Sequence, residues 1–270
     1  MNTYEINKVA SLIRSDVIKM CHNSKSAHLA SCLSCIDILV ALYWGHLSID
    51  ISDYKNTKRD RFIMSKGHAA MAIYATLARR GFFPQSWLST YNNDNGILAE
   101  HPPANLVPGI EAATGSLGHG LPIGIGIALA GKIRKLKYKT IVLLSDGENN
   151  EGSVWEGAMF AASNELSNLS VIIDYNKWQA TGRSNEVLQL APLKDKWSAF
   201  GWNTVEIDGH DIPTLQKSLK ETFLGKKPRC IIAHTVKGKG VSFMEDDNNW
   251  HYRVPTENEV DLSLKELGIL

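Results

Sequence analysis

The 270-residue sequence has no apolar stretch long enough to cross a membrane, and its N-terminus lacks the apolar centre of a secretory signal peptide. Residues 1–20 instead mix charged and apolar side chains, as an amphipathic helix does. Cysteines are also scarce: the chain has four, and without a secretory signal these do not indicate a disulfide framework. We therefore expect a cytoplasmic protein with reduced thiols.

An excess of charge of one sign is absent as well. The chain has 29 Lys and Arg residues against 28 Asp and Glu residues, a net charge of +1, and no long block of either sign. Proteins that bind nucleic acid or anionic membranes usually carry a basic patch or stripe. We therefore predict that this chain binds a small molecule, and neither nucleic acid nor a membrane.

A second cysteine pair is missing from the sequence. Cys32 and Cys35 form a single C-x-x-C inside an otherwise apolar stretch, and no further pair follows at the spacing of a zinc site. We interpret both cysteines as residues packed in the core.

Apolar periodicity predicts a helical N-terminal region and then alternating strands and helices. Such alternation is typical of an α/β fold: a doubly wound, mostly parallel sheet with helices on both faces. Residues 1–270 contain no repeat, linker or low-complexity tract, so we expect one domain. No clear period marks 237–259. The predicted helices are 4–20, 34–47, 66–80, 121–136, 153–166, 193–200 and 212–224, and the predicted strands are 61–65, 140–145, 169–175, 202–208 and 229–236.

Asp146 and Asn176 each follow a predicted strand directly, thirty residues apart. In doubly wound sheets, ligands bind at the carboxyl ends of the strands, so we expect both side chains to face one crevice. Their hard oxygen donors suit magnesium that also takes phosphate oxygens. Gly147, Gly152 and the helix beginning near residue 153 would let backbone N–H groups approach that phosphate. Taken singly, the two residues could equally be a helix cap and a turn residue.

Six separated motifs occur along the chain: KGHAA at 66–70, EHP at 100–102, ATGSLGHG at 113–120, SDGENNEGSVWEGAMFAA at 145–162, DYNKWQATG at 174–182 and HTVKGKGVSFME at 234–245. In this order they resemble transketolase, a thiamine diphosphate-dependent enzyme. The resemblance covers nearly the whole chain and points to the split transketolases, in which the diphosphate-binding half is a separate polypeptide.

The resemblance implies a thiamine diphosphate-binding fold and assigns the cofactor residues. Asp146 and Asn176 would bind Mg²⁺, or Ca²⁺ or Mn²⁺ in its place, through their side chains, and Trp178 through its backbone carbonyl. His119 stands where many transketolases have glutamine. The residues implied to bind thiamine diphosphate are His68, Gly115, Ser116, Leu117, Gly118, His119, Gly147, Glu148 and Asn176.

The resemblance also implies a catalytic set of His28, His68, His101 and His251 together with Glu151. Ketol transfer needs proton donors and acceptors around a developing alkoxide, and the near-neutral pKa of histidine suits either role. Glu151 matches a glutamate that relays protons between the paired sites of a dimer. A carboxylate in a first helical turn also simply complements the helix dipole, and a single histidine is more often structural.

Two segments depart from the family pattern. Ala27, Ala30 and Ser31 occupy positions around His28 that are often glycine, and WHYRVP at 250–255 replaces the usual W-H-G-K-A-P, which leaves the shape of the His251 loop open. Added side chains narrow the space and restrict the backbone. These departures are either neutral packing changes or signs of a donor or acceptor other than ordinary pentose phosphates.

The resemblance implies transfer of a two-carbon ketol unit from a ketose, usually phosphorylated, to an aldehyde. The family places a pyrimidine-binding domain after this one, so we expect a separate pyrimidine-binding subunit, two copies of each chain forming a heterotetramer. Two alternatives are the alpha subunit of a 2-oxo acid dehydrogenase, against which KGHA, EHP and HTVKGKG argue, and a noncatalytic regulatory or scaffold homologue.

Overall fold

Five parallel strands form one sheet in the computed structural model, which describes residues 3–221, 223 and 225–270. The order across the sheet is β1-β2-β3-β5-β4, and every pairing is parallel, as the alternation of elements predicts. The central strands β2 and β3 are buried along their whole length because they consist largely of branched apolar residues. The strands are β1 (Arg61–Met64), β2 (Thr140–Ser145), β3 (Leu169–Tyr175), β4 (Asn203–Asp208) and β5 (Arg229–His234).

Helices precede the first strand, connect the strands and, in the case of the last helix, follow the final strand. They are α1 (Thr3–Ser24), α2 (Leu29–Ser34), α3 (Ile36–Gly45), α4 (Ala70–Arg80), α5 (Gly120–Ile133), α6 (Gly152–Ser163), α7 (Ser184–Val187), α8 (Leu193–Ala199), α9 (Ile212–Lys220) and α10 (Glu257–Glu266). Short 3₁₀ turns occupy Gly67–Ala69 and Gly147–Asn150, directly after β1 and β2.

Several predicted boundaries differ from the structure. The helix predicted over 34–47 begins earlier and is two helices, because Cys35 leaves the helical conformation with φ −99° and ψ 4°. The helix predicted from 66 begins at Ala70, because the backbone N–H groups of Ser65 and Lys66 still bond to Leu143 at the sheet. Positions 222 and 224 of the helix predicted over 212–224 lie outside the described residues.

Each face of the sheet supports its own apolar core, so helices pack on both faces as predicted. The split follows the alternation of side chains along each strand. One core joins Ile63, Val142, Leu144, Val171 and Ile173 to α5, α6 and α8. The opposite core joins Phe62, Met64, Ile141, Leu143 and Ile172 to α1, α2, α3, α4 and α9.

The cysteines confirm the interpretation of core packing. Cys21, Cys32, Cys35 and Cys230 are all buried free thiols. Burial raises the pKa of the Cys32 thiol to about 12, so it is protonated near neutral pH. Among the described residues, no helix combines the length and apolar composition that crossing a membrane requires.

Candidate active site

The carboxyl ends of the parallel strands open onto a cleft of about 440 Å³. Most of the predicted site residues line it. Four do not: Ser116 and His119 are exposed, while Gly118 and Glu148 are buried beside the cleft. The predicted residues that do line it are His28, His68, His101, Gly115, Leu117, Asp146, Gly147, Glu151, Asn176, Trp178 and His251.

Asp146 follows β2 and ties the ends of two strands together. Its Oδ2 accepts hydrogen bonds from the backbone N–H of Lys177 (2.8 Å) and the hydroxyl of Ser184 (2.8 Å). Its Oδ1 accepts from the N–H of Gly147 at 2.9 Å. Burial raises the pKa of Asp146 to about 7, although the Ser184 hydrogen bond opposes the shift. Among the described residues no Lys or Arg side chain pairs with this carboxylate, and a buried carboxylate of this kind is a strong candidate for binding a cation.

Asn176 follows β3 at the same edge of the sheet. Its Oδ1 accepts a hydrogen bond from the N–H of Trp178 at 3.0 Å, and its Nδ2 lies 3.4 Å from the Ser34 hydroxyl. The intervening Lys177 has a left-handed φ of 70°. This sharp bend keeps Trp178 close to Asn176, and Asp146 and Asn176 line one cleft, as the strand-end argument predicts.

Two polar atoms at the cleft show what kind of group fits there. Within the described part of the chain, Asn150 Oδ1 and Gln179 Nε2 are buried and have no hydrogen-bond partner. Gln179 lies over Gly147, where an added Cβ would meet its Cγ at 3.4 Å. A free amide donor beside carboxylate and amide oxygens fits an anion held together with a cation, so the residues present fit a diphosphate and a divalent metal. Sequence reasoning missed Gln179, although it lies within the DYNKWQATG motif.

The glycine-rich turn before α5 is held from behind by Glu148. The Glu148 carboxylate accepts hydrogen bonds from the Gly118 N–H (3.0 Å), the Ser145 N–H (2.8 Å) and the Ser65 hydroxyl. Gly118 has φ +78°, and a Cβ there would meet the Glu151 Cβ at 2.6 Å. Glu148 therefore positions the turn from inside the protein, whereas the resemblance implied contact with the cofactor.

The four predicted histidines surround one side of the cleft. The His28 ring centroid lies 5.5 Å from that of His68, 6.4 Å from His101 and 5.1 Å from His251. Burial lowers the pKa of His28, lowers that of His68 well below its usual value, and lowers that of His251 to about 3. These three rings are therefore neutral at physiological pH and can donate or accept hydrogen bonds.

His28 enters this cluster through a strained backbone. It precedes α2 with a left-handed φ of 73°, which residues other than glycine adopt rarely, and its N–H donates to the carbonyl of His251 at 2.6 Å. Strain of this kind is common at functional sites.

Beneath the cleft lies a buried ion pair that sequence reasoning did not assign. Lys66 and Asp174 are fully buried and in contact, and Lys66 Nζ also donates to the Ser31 carbonyl at 2.8 Å. Asp174 accepts from the hydroxyls of Ser34 (2.6 Å) and Thr235. Burial opposes the charge of Lys66, but Asp174 outweighs it and raises the lysine pKa. A charged residue within the apolar strand β3 was the available signal.

Residues 6–270 match the family described as the transketolase thiamine diphosphate-binding domain. The chain belongs to the transketolase family. It is 41% identical over 256 residues to one subunit of the apulose-4-phosphate transketolase of Phocaeicola vulgatus, covering 94% of this chain and 91% of that protein. It is 36% identical to the 6-deoxy-6-sulfo-D-fructose transketolase subunit SqwG of a Clostridium species, covering 97% of this chain and 96% of that protein.

Solved transketolases share the fold. The transketolase of Campylobacter jejuni superposes with a TM-score of 0.93 at 26% identity, covering 99% of this chain but 43% of the longer one. This transketolase-family chain therefore corresponds to the thiamine diphosphate-binding part of such enzymes and to nearly the full length of the two bacterial subunits just named. The family match favours a transketolase-like transferase over the alpha subunit of a 2-oxo acid dehydrogenase and over a noncatalytic homologue.

Proposed function

We propose that residues 1–270 act as one thiamine diphosphate-binding domain, the diphosphate-binding subunit of an enzyme that moves a two-carbon ketol unit from a ketose to an aldehyde. The observation that carries this proposal is the cleft itself, where Asp146 and Asn176 at two strand ends face His28, His68, His101 and His251. The proposed anion and metal site thus lies beside a cluster of histidines that can donate and accept hydrogen bonds.

The cofactor and metal are assigned as the resemblance implies. Asp146, Asn176 and the Trp178 carbonyl would hold Mg²⁺, or Ca²⁺ or Mn²⁺, because they supply hard oxygen donors at one place. Gly115, Leu117 and Gly147 line the cleft and would lie against the thiamine diphosphate, and Gln179 would add an amide donor toward its diphosphate. When bound, thiamine diphosphate supplies the electron sink for cleavage next to the ketone.

The histidines bind and orient the sugar. Because burial keeps His28, His68 and His251 neutral, each has a ring N–H that can donate to a sugar oxygen, and the unprotonated nitrogens of His28 and His68 can accept from sugar hydroxyls. Glu151 is exposed at the edge of the cleft, a place consistent with proton relay to a second site.

A partner chain completes the site. The relatives that match this chain nearly end to end are named as subunits of transketolases, which supports a separate pyrimidine-binding subunit, with two copies of each chain as the proposed assembly. The neighbouring helices α5 and α6 expose the large apolar side chains Ile123 (38% exposed), Met159 (54%) and Phe160 (47%). Exposed apolar groups of this size are common in protein interfaces, and we assign these to the contact with that subunit. We place the assembly in the cytoplasm on the basis of the cysteine usage.

The substrate is proposed to be a ketose phosphate other than the ordinary pentose phosphates. Ser31, which replaces a frequent glycine, lines the cleft. Tyr252, in the divergent WHYRVP segment, places its ring 4.6 Å from His251 and 6.1 Å from His28. The relatives' names, apulose-4-phosphate and 6-deoxy-6-sulfo-D-fructose transketolase subunits, support a specialised sugar. Full activity of the assembled enzyme on xylulose and ribose phosphates would refute this assignment.

Calorimetry with thiamine diphosphate and Mg²⁺ tests the cofactor site. The wild-type chain should bind the pair with heat and gain thermal stability, whereas Asp146→Asn should lose the magnesium-dependent part of both, because the amide removes the anionic ligand while keeping the shape. Asp208→Asn is the matched control, since Asp208 ends strand β4 but is exposed and outside the cleft. Equal stabilisation of Asp146→Asn and wild type would remove Asp146 from the metal site.

A further inference from the structure

The segment after β5 brings a buried lysine to one of the histidines of the cleft. Lys237 is fully buried, and its Nζ lies 2.6 Å from Asn248 Oδ1 and 2.9 Å from His251 Nδ1. The orientation of the Asn248 amide is fixed from its other end, because Nδ2 donates to the Ala180 carbonyl at 3.1 Å. Asn248 therefore presents its oxygen, and not its nitrogen, to Lys237.

This contact determines which ring nitrogen of His251 carries the proton. Burial lowers the pKa of the Lys237 amine to about 8, so at pH 7 the amine is mainly protonated. A protonated amine has only N–H donors, so the ring nitrogen that faces it must be an acceptor. The neutral ring then carries its proton on Nε2. The Ser31 hydroxyl lies 3.5 Å from the same Nδ1 and adds a second, weaker contact on that side.

The opposite side of the ring is available to a ligand. His251 lines the cleft, and within the described residues no protein group bonds to its Nε2. We propose that Lys237 is a positioning residue that holds His251 as the Nε2–H tautomer, so that His251 presents an N–H donor to a sugar oxygen. This inference rests on the proposed function for the identity of the ligand, but not for the tautomer itself.

The Nε2–H tautomer gives His251 a different role from a general base. With Nδ1 occupied and Nε2 protonated, His251 donates a hydrogen bond and stabilises developing negative charge on oxygen. It cannot accept a proton from the substrate without losing the Lys237 contact. Burial and then the Lys237 charge keep the ring neutral, as its lowered pKa also indicates. Proton removal from the sugar therefore falls to another group in the cleft.

Nitrogen NMR of the full chain labelled with ¹⁵N-histidine tests the tautomer directly. In wild type, Nε2 of His251 should show the signal of a protonated nitrogen and Nδ1 that of an unprotonated one, with the peaks assigned by His251→Gln. His22 is an internal reference for a protonated Nδ1, because its Nδ1 lies 2.7 Å from the Pro255 carbonyl oxygen and must donate to it. A protonated Nδ1 on His251 in wild type would overturn the proposal without any further variant.

Two substitutions test the role of Lys237. Lys237→Met keeps the length of the side chain but removes the donor, so the two His251 nitrogen signals should move toward each other while those of His22 stay in place. Lys237→Arg keeps a donor and should retain the wild-type pattern. An unchanged His251 spectrum in Lys237→Met would show that Lys237 does not set the tautomer.

Kinetics of the enzyme assembled with its partner supply a second readout. Lys237→Met should lower kcat by about tenfold or more, with Lys237→Arg restoring part of the rate. A full kcat in Lys237→Met would contradict the proposed donor role of His251. If the tautomer is held as proposed but the wild-type assembly transfers no ketol unit, the proposed function fails and the tautomer assignment stands.

Discussion

Among single residues, His68 and His101 are expected to act on the sugar and not on the metal. His68 and His101 line the cleft beside His28, and neither belongs to the proposed metal set. We expect His68→Ala and His101→Ala to lower turnover by roughly 10²-fold or more while changing thiamine diphosphate affinity much less, because their contacts are to the reacting sugar. Steady-state kinetics and cofactor titration of the same preparations measure the two effects. Unchanged turnover in both variants would remove them from the reaction.

His46 gives the chain a pH dependence of stability that is independent of the cleft. Burial lowers the pKa of His46 from 6.5 to about 4, and its Nε2 is a buried atom without a partner among the described residues. Because the folded-state pKa lies below the unfolded value, the stability is fully present above pH 6.5 and is lost as the pH falls toward 4.

His46→Phe removes this titration and keeps the ring that stacks on Phe223. Between pH 7 and pH 5, the free energy of unfolding of His46→Phe should fall by about 1 kcal/mol less than that of wild type. This figure is reduced to allow for the partial exposure of His46 to solvent. Urea unfolding at both pH values measures it, with His234→Gln as the control because that ring is 39% exposed. An identical pH dependence in His46→Phe and wild type would contradict the assignment.

The positions of the strand-end residues were predictable from the sequence. The buried contacts around them were not. Asp146 and Asn176 follow apolar runs directly, so their meeting at one cleft followed from the sequence alone. The Lys66–Asp174 pair and the Lys237–His251 contact join residues 108 and 14 positions apart. Such contacts depend on how loops return to the cleft, which no periodicity in the sequence encodes. Glu148 shows the converse case, a motif residue whose side chain points into the protein.

At the scale of elements, α5 shows how closely a helix approaches the sheet. A Cβ on Gly124 would lie 2.4 Å from Val142 Cγ2 on β2, whereas a Cβ on Gly126 would meet nothing within 4 Å. Gly124→Ala should therefore destabilise the chain by about 1–3 kcal/mol through overpacking. Gly126→Ala, in the same helix, should be stabilising by up to about 1 kcal/mol because alanine favours the helix. Urea unfolding of both variants measures the difference, and equal effects would contradict the packing of α5 on β2.

The bounds of the buried strands were predicted from the sequence better than those of the helices. Strands β2 and β3 match their predicted bounds because continuous apolar runs specify buried parallel strands. The boundary between α2 and α3 was missed, since the apolar pattern continues through Cys35 while the backbone turns. Helix α10 was also missed, although Thr256 and Glu259 form a capping box that marks its start in the sequence.

Contacts of Trp178 and Arg183 with Asp246 join two loops of the cleft. The Trp178 indole N–H donates to Asp246 Oδ1 at 2.7 Å, and the Arg183 guanidinium, 3.7 Å from the centre of the Trp178 ring, pairs with the same carboxylate at 2.6 Å. The proposed metal loop is therefore fastened to the segment that carries Lys237 and His251. The side chain of Trp178 thus has a role of its own, in addition to the metal contact implied for its carbonyl.

At the scale of the whole molecule, the fold presents a cleft and an exposed apolar surface together. The outer face of α5 and α6 carries Ile123, Met159 and Phe160, and both helices begin beside the cleft, near Gly118 and Glu151. A partner bound to this face would therefore lie next to the bound cofactor. This arrangement supports the proposal that one chain begins the site and another completes it.

Reconstitution from separate chains tests whether the active site needs both subunits. The chain and a candidate pyrimidine-binding partner are purified separately, and ketol transfer from a ketose phosphate to an aldehyde is measured for each alone and for the mixture, with thiamine diphosphate and Mg²⁺ present. Light scattering follows the mass of the mixture. We expect transfer from the mixture only, accompanied by an assembly with two copies of each chain. Substantial transfer by this chain alone, or none by the assembled pair, would contradict the account.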